Sequence, residues 1–157
     1  MSETQAEMVE RDIELKRVID APVALVWAAW TDPEHLMHWW GPHHFTAPEC
    51  TVDLRVGGRI YMIMKGPQGP GFPWDGHFME IVENEKLVFT NRPLGPNGAP
   101  LAEGLTTVTF KAVGAKTELT IHSAVKTNIK PMIEGMDEGW KQQTEKMVAY
   151  MEKAGRA

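Results

Sequence analysis

The longest regular pattern of apolar positions runs from Gly135 to Lys153. Met136, Trp140, Met147, Tyr150 and Met151 recur there at steps of three and four, so on a helix they share one stripe. Asp137, Glu138, Lys141, Gln142, Glu145, Lys146, Glu152 and Lys153 fall mostly outside it. A helix divided in this way needs a surface to lay its stripe against. The preceding segments alternate with a period near two, the pattern of an antiparallel sheet. Met and Trp, which fill irregular spaces, dominate the stripe in place of Leu and Ile, so a hollow between helix and sheet is expected.

In chain order, MSETQAEM is polar and aperiodic, and VERDIELKRVI alternates as a first strand with Ile13, Leu15 and Val18 on its buried side. Asp20 before Ala21-Pro22 reads as the N-cap of a short helix carrying Val23, Val26, Trp27 and Trp30, which ends near Thr31. Asp32-Pro33-Glu34 repeats that signal and starts a second helix toward Trp39 and Trp40, broken by Gly41-Pro42. Six strands are expected next: Cys50 to Val56, Arg59 to Lys65, Trp74 to Val82, Lys86 to Arg92, Leu105 to Val113 and Lys116 to Val125. RIYMIMK, residues 59–65, is apolar on both faces, so its period does not tell which side is the core. Two connections, Gly66 to Pro73 and Pro93 to Gly104, are long and rich in Gly and Pro. In a meander both emerge at one end of the sheet.

With 157 residues, 43% hydrophobic and 24% charged, the chain reads as one globular domain over residues 9–154, with flexible ends at 1–8 and 155–157. No window of eighteen apolar residues and no charged-then-apolar leader is present, so no membrane partner and a cytoplasmic location are expected. The net charge of −5 lacks the basic excess of a phosphate-backbone binder, which argues against nucleic acid. The single Cys50 can form no internal disulfide and reads as a small buried residue.

The order strand, helix pair, six strands, long helix is that of the helix-grip fold. The segments APVALVWAAWTDPEHLMHWWGP, DLRVGGRIYMIM, DGHFMEIVENEKLVFT, TTVTFKAVGAKTELTI and EGMDEGW, in this order, resemble the SRPBCC (START-like) superfamily. Within it they are similar to the branch of the activator of Hsp90 ATPase homologue 1 domain. The resemblance covers about Glu10 to Lys153. It implies an α+β helix-grip fold, a curved antiparallel β-sheet wrapped around a long C-terminal α-helix, with two short helices after strand 1. It further implies an apolar cavity between helix and sheet. The eukaryotic activator carries a separate chaperone-binding domain, for which this chain leaves no room.

The string HLMHWWGPHHF places His35, His38, His43 and His44 close together, but a closed metal site needs four ligands and a second shell, so no metal is expected. No Ser-His-Asp spacing, phosphate-loop glycines or dinucleotide fingerprint occurs, so neither a cofactor nor a catalytic set is expected. Asp53 and Arg55 share a face and read as a structural ion pair. Trp39 and Trp40, adjacent on a helix, point about 100° apart, so one of them enters the cavity. On the strand from Trp74 to Val82, Glu80 shares a face with Trp74 and Phe78, and His77 lies on the other. The expected cavity walls are Trp27, Trp39, Trp40, Tyr61, Phe78, Glu80, Phe89, Met136, Trp140 and Met147. Phe72, Trp74, Arg92, Leu94 and Leu101 belong to the loops around its entrance.

Three functions fit these residues: binding of a small hydrophobic or aromatic molecule, a cyclase- or hydrolase-like enzyme in the same cavity with Glu80, His77 or Arg92 in play, or a protein-interaction module. The last includes a chaperone ATPase regulator, or a homodimer in which a partner copy covers RIYMIMK.

Overall fold

The computed structural model describes residues 8–41, 44–67, 71–95 and 97–155. Seven strands form one antiparallel sheet in the order β1-β7-β6-β5-β4-β3-β2. They are β1 (Val9–Ile19), β2 (Thr46–Val52), β3 (Arg59–Lys65), β4 (Phe72–Val82), β5 (Lys86–Pro93), β6 (Glu103–Val113) and β7 (Lys116–Thr127). Two short helices, α1 (Val23–Thr31) and α2 (Pro33–Trp39), follow β1, and α3 (Lys130–Gly155) closes the chain. The curved sheet with a long helix against it is the helix-grip arrangement.

The short helices form for different reasons. Asp32 caps α2, its Oδ1 accepting from the Glu34 amide at 2.9 Å, and Pro33 sits in the first turn where its missing N–H costs nothing. At α1 the expected cap does not form: Pro22 holds the N-cap position, without a side-chain bond, and Asp20 lies two residues upstream. Gly41 ends the pair at a φ of +94°, and a Cβ there would lie 2.8 Å from Met64 Cε. The positive φ calls for glycine, whereas the Met64 methyl ends a flexible side chain and can shift; Trp40, just before the turn, packs on Trp74 and Phe89 of the sheet.

The inner face of β1 carries Ile13, Leu15 and Ile19, with Arg11 and Arg17 in the same register; Val18 points outward and is 58% exposed. Strand β2 begins four residues earlier than its alternation suggests. Residues 53–58 form a tight turn closed by Asp53 N to Arg59 O at 2.8 Å and Gly58 N to Arg55 O at 2.8 Å, which leaves Leu54 and Val56 exposed. Asp53 and Arg55 pair on this turn at 2.7 Å. On β3 the inner residues are Ile60, Met62 and Met64. Tyr61 lies on the other face, with the Arg59 guanidinium 4.4 Å above its ring.

Strand β4 breaks its own alternation. Phe78 pairs with Phe89 but Glu80 pairs with Val88, so one extra residue, Met79, is accommodated as a bulge. Beyond it the faces exchange: Ile81 packs on the core, and Glu80 turns outward to Lys86, 3.4 Å away. The β6–β7 hairpin turns at Gly114-Ala115 as its sequence indicates, pairing Val108 with Ile121 and Phe110 with Leu119. Ala112 faces Thr117, and Ser123 faces Thr106.

The core lies toward the β6–β7 turn and under α1 and α2. Trp27 meets Phe110 edge-on at 5.1 Å, Trp30 meets Trp39 at 4.7 Å, and Phe78 and Phe89 pack beside them. Met147 and Met151 of α3 complete it. Each buried aromatic removes roughly 150 to 250 Å² from water, so these rings dominate the apolar stabilisation.

Candidate apolar ligand cavity

Helix α3 begins at Lys130, five residues before its obvious stripe. Pro131 fits the first turn, and the Thr127 hydroxyl joins the ends: it accepts from Ile129 N at 3.1 Å and donates to Leu101 O at 2.7 Å. The helix has two unlike halves. From Gln143 onward it is bound firmly, with Gln143, Thr144, Met147 and Met151 buried. Gln143 Oε1 accepts from Gly41 N at 2.8 Å, and Lys146 Nζ donates to Gly41 O at 3.0 Å and Phe45 O at 3.1 Å. Burial lowers the Lys146 pKa, and these carbonyls compensate part of the lost hydration. Before Gln143 only Met136 is buried in the helix, and a Cβ on Gly135 or Gly139 would meet nothing within 4 Å.

Under this first half lies a cavity of about 240 Å³. Trp40, Met64, Phe72 and Trp74 form one wall, Met132, Met136, Gly139 and Trp140 the helix side, and Pro93, Ala102, Gly104 and Val125 the sheet end. Trp40 stands at the centre of the aromatic wall, edge-on to Trp74 at 4.9 Å and to Trp140 at 6.2 Å. Trp140 is partly exposed along this opening.

Among the described residues two polar side chains reach the cavity, Asn91 and Gln143, each 7% exposed. Asn91 belongs to a buried trio on the inner face of the sheet. Its Nδ2 donates to Thr106 Oγ1 at 2.6 Å and lies 3.5 Å from Ser123 Oγ, and those two hydroxyls are 3.0 Å apart. Its Oδ1 is buried with no hydrogen-bond partner. An orphaned buried acceptor is costly.

Of the expected walls, Trp40, Met136 and Trp140 line this cavity. Trp27, Trp39, Phe78, Phe89 and Met147 belong instead to the closed core beside it, where α1 and α2 fill the concave face. Trp39 is fixed there by its indole N–H, which donates to Ala29 O at 3.0 Å. Tyr61 and Glu80 stand on the outer side, the first by its strand register and the second through the Met79 bulge. Phe72 and Trp74, expected at the entrance, are walls.

The loop from Pro93 to Gly104, expected at the cavity entrance, is tied together by backbone bonds. Leu94 bridges to Pro100, Leu101 N donates to Pro93 O at 2.7 Å, and Gly95 N to Ala99 O at 2.8 Å, so the segment extends the β5–β6 hairpin. Leu94 and Leu101 belong to this extension, and Ala102 at its base is buried in the cavity wall. Arg92 points to the outer face, 3.7 Å from Glu103, beside a recess shared with His77. Residues 68–70 and 96 of the two long loops lie outside the described residues, as does His43. His35 Nδ1 lies 2.7 Å from the Tyr150 hydroxyl, and His38 stacks on the same ring.

Met64, Asn91, Ala102, Met132 and Gln143 carry the cavity but were missed in the sequence. Met132 stands one turn before Met136 and was available from its spacing. Gln143, polar between Trp140 and Met147 on the apolar stripe, was the other usable signal.

Comparison with known proteins agrees with this architecture. A protein of Arthrobacter aurescens, solved in solution, superposes with a TM-score of 0.83 at 28% identity over 96% of this chain and 93% of its own. A Chromobacterium violaceum protein gives 0.78 at 29% identity over 90% and 96%. One from Nitrosomonas europaea gives 0.77 at 28% over 93% and 97%. No curated protein matches the sequence. The family model described as activator of Hsp90 ATPase homolog 1-like protein matches residues 20–152, which take in β2 to β7, α1, α2 and all but the last three residues of α3, and the chain belongs to that family.

Proposed function

We propose that the protein binds a small hydrophobic or aromatic molecule in the cavity between the first half of α3 and the sheet. The observation that carries this reading is an apolar hollow walled by Trp40, Trp74 and Trp140, with the rest of the concave face filled solidly. Pockets of this kind, mostly apolar with a few placed polar groups, are the usual form of small-molecule sites. An enzymatic reading has less support, because no titratable side chain among the described residues lines the cavity. The family description names a chaperone activator, and a regulatory role for this chain rests on that description alone.

Gly139 provides the test. A side chain there would extend into open space at the cavity wall, and leucine is a better helix former than glycine. Gly139→Leu is expected to keep or raise the melting temperature while displacing the ligand. Native mass spectrometry of the purified protein, or titration with apolar aromatic probes, should show binding by the parent and at least tenfold weaker binding by the variant. Equal binding by a folded Gly139→Leu would rule this cavity out.

A further inference from the structure

We infer that the cavity recognises a carbonyl-type hydrogen-bond acceptor on an otherwise apolar aromatic ligand, received by the side-chain amide Nε2 of Gln143; this rests on the ligand-binding reading above. Gln143 interrupts the apolar stripe of α3 between Trp140 and Met147. It is almost wholly buried, and it lines the cavity. A primary amide in such a place is costly unless both of its ends are bonded.

One end is accounted for. A backbone N–H can only donate, so the atom that accepts from Gly41 N at 2.8 Å is Oε1, and this bond fixes which way the amide points. The other end is not. Nε2 carries two N–H donors and has no partner among the described residues, yet it is not sealed inside the protein as Trp30 Nε1 is. The carbonyls of Trp40, Gly41 and Phe45 accept from the Lys146 ammonium instead. The protein thus holds a donor in place and gives it no acceptor of its own. The indoles of Trp40 and Trp140, which meet edge-on at 6.2 Å, belong to the residue before Gly41 and to the turn before Gln143. A carbonyl borne directly on an aromatic ring suits that arrangement, the ring against the indoles and the oxygen toward Nε2.

Acetophenone and α-methylstyrene have nearly the same shape, with a carbonyl oxygen in one where the other has a methylene. In the parent protein, NMR titration should give acetophenone an affinity relative to α-methylstyrene at least about tenfold greater than cyclohexane–water partition predicts, since cyclohexane offers no donor. The Gln143 side-chain amide protons should move downfield with acetophenone and stay in place with α-methylstyrene. Gln143→Met, unbranched and of similar size, should abolish the acetophenone excess. The variant also deprives Gly41 N of its acceptor, so both probes should weaken in common, and only their ratio reports on Nε2. A parent ratio that follows partition, amide protons that respond alike to both probes, or an excess that survives in folded Gln143→Met would each overturn the inference. The parent ratio and the amide shifts decide if the variant does not fold. Absence of binding by both probes would remove the ligand-binding reading and this inference with it.

Discussion

Cys50, half-buried on β2, has its thiol pKa pushed up to about 12 from 9.0, mainly by burial and further by the carboxylate of Asp32. Between those two values the unfolded chain releases the thiol proton and the folded chain keeps it. The unfolded state then binds fewer protons, so stability falls as pH rises through that window. The expected result is a urea midpoint that declines less steeply above pH 9 in Cys50→Ala than in the parent, with equal slopes counting against it. Tyr150, raised by burial and by Asp32, leaves a residual decline in both. At the same scale, Met79 shows why one polar assignment failed. Alternation puts Glu80 with Phe78, but a bulge inserts one residue without any Gly or Pro to announce it, and the two faces exchange. Tyr61 failed for a different reason. Apolar residues on both faces of β3 left its direction open, and the Arg59 guanidinium above the ring supplies cover from within the chain.

Among the elements, α3 joins a clamped half to a loosely seated one. The clamp is Lys146, whose ammonium donates to the carbonyls of Gly41 and Phe45. Lys146→Ala leaves those part-buried carbonyls without their charged donor, and a loss of about 1 to 3 kcal/mol is expected in chemical unfolding. The same variant should weaken ligand binding, because the loop it releases positions Trp40; unchanged stability and affinity together would show the clamp to be ornamental. The stripe in α3 was legible from Met136 onward because Met and Trp stand out against charged neighbours. Its start at Lys130 was not, since Pro131 and Gly135 read as breakers until Thr127 is seen to tie the helix to the β5–β6 hairpin. The Gly and Pro content of the Pro93 to Gly104 connection marks it as a long loop and gives no sign of the backbone bonds that Leu94, Gly95 and Leu101 make there. Deleting that connection would remove Ala102, a cavity wall.

At the level of the whole molecule, element order and strand pairing were readable because period and punctuation are local signals. The division of the concave face into solid core and hollow was not. Trp27, Trp39 and Phe89 have the composition of cavity walls, and only the seating of α1 and α2 places them in the closed part. One pairing described above also governs how the chain acquires its shape. Val9 pairs with Thr127 and Ile19 with Thr117, so β1, the first strand made, is joined to the last. Closing so long a loop is costly in chain entropy, whereas the β6–β7 hairpin closes over a two-residue turn. In refolding followed by pulsed hydrogen exchange, amides of β6 and β7 should gain protection before those of β1, and early protection of β1 would contradict this. During synthesis β1 leaves the ribosome long before its partner exists. Its run of Glu10, Arg11, Asp12, Glu14, Lys16 and Arg17 keeps that waiting edge strand from pairing with the wrong chain, so charges that add little to the finished fold protect the nascent one.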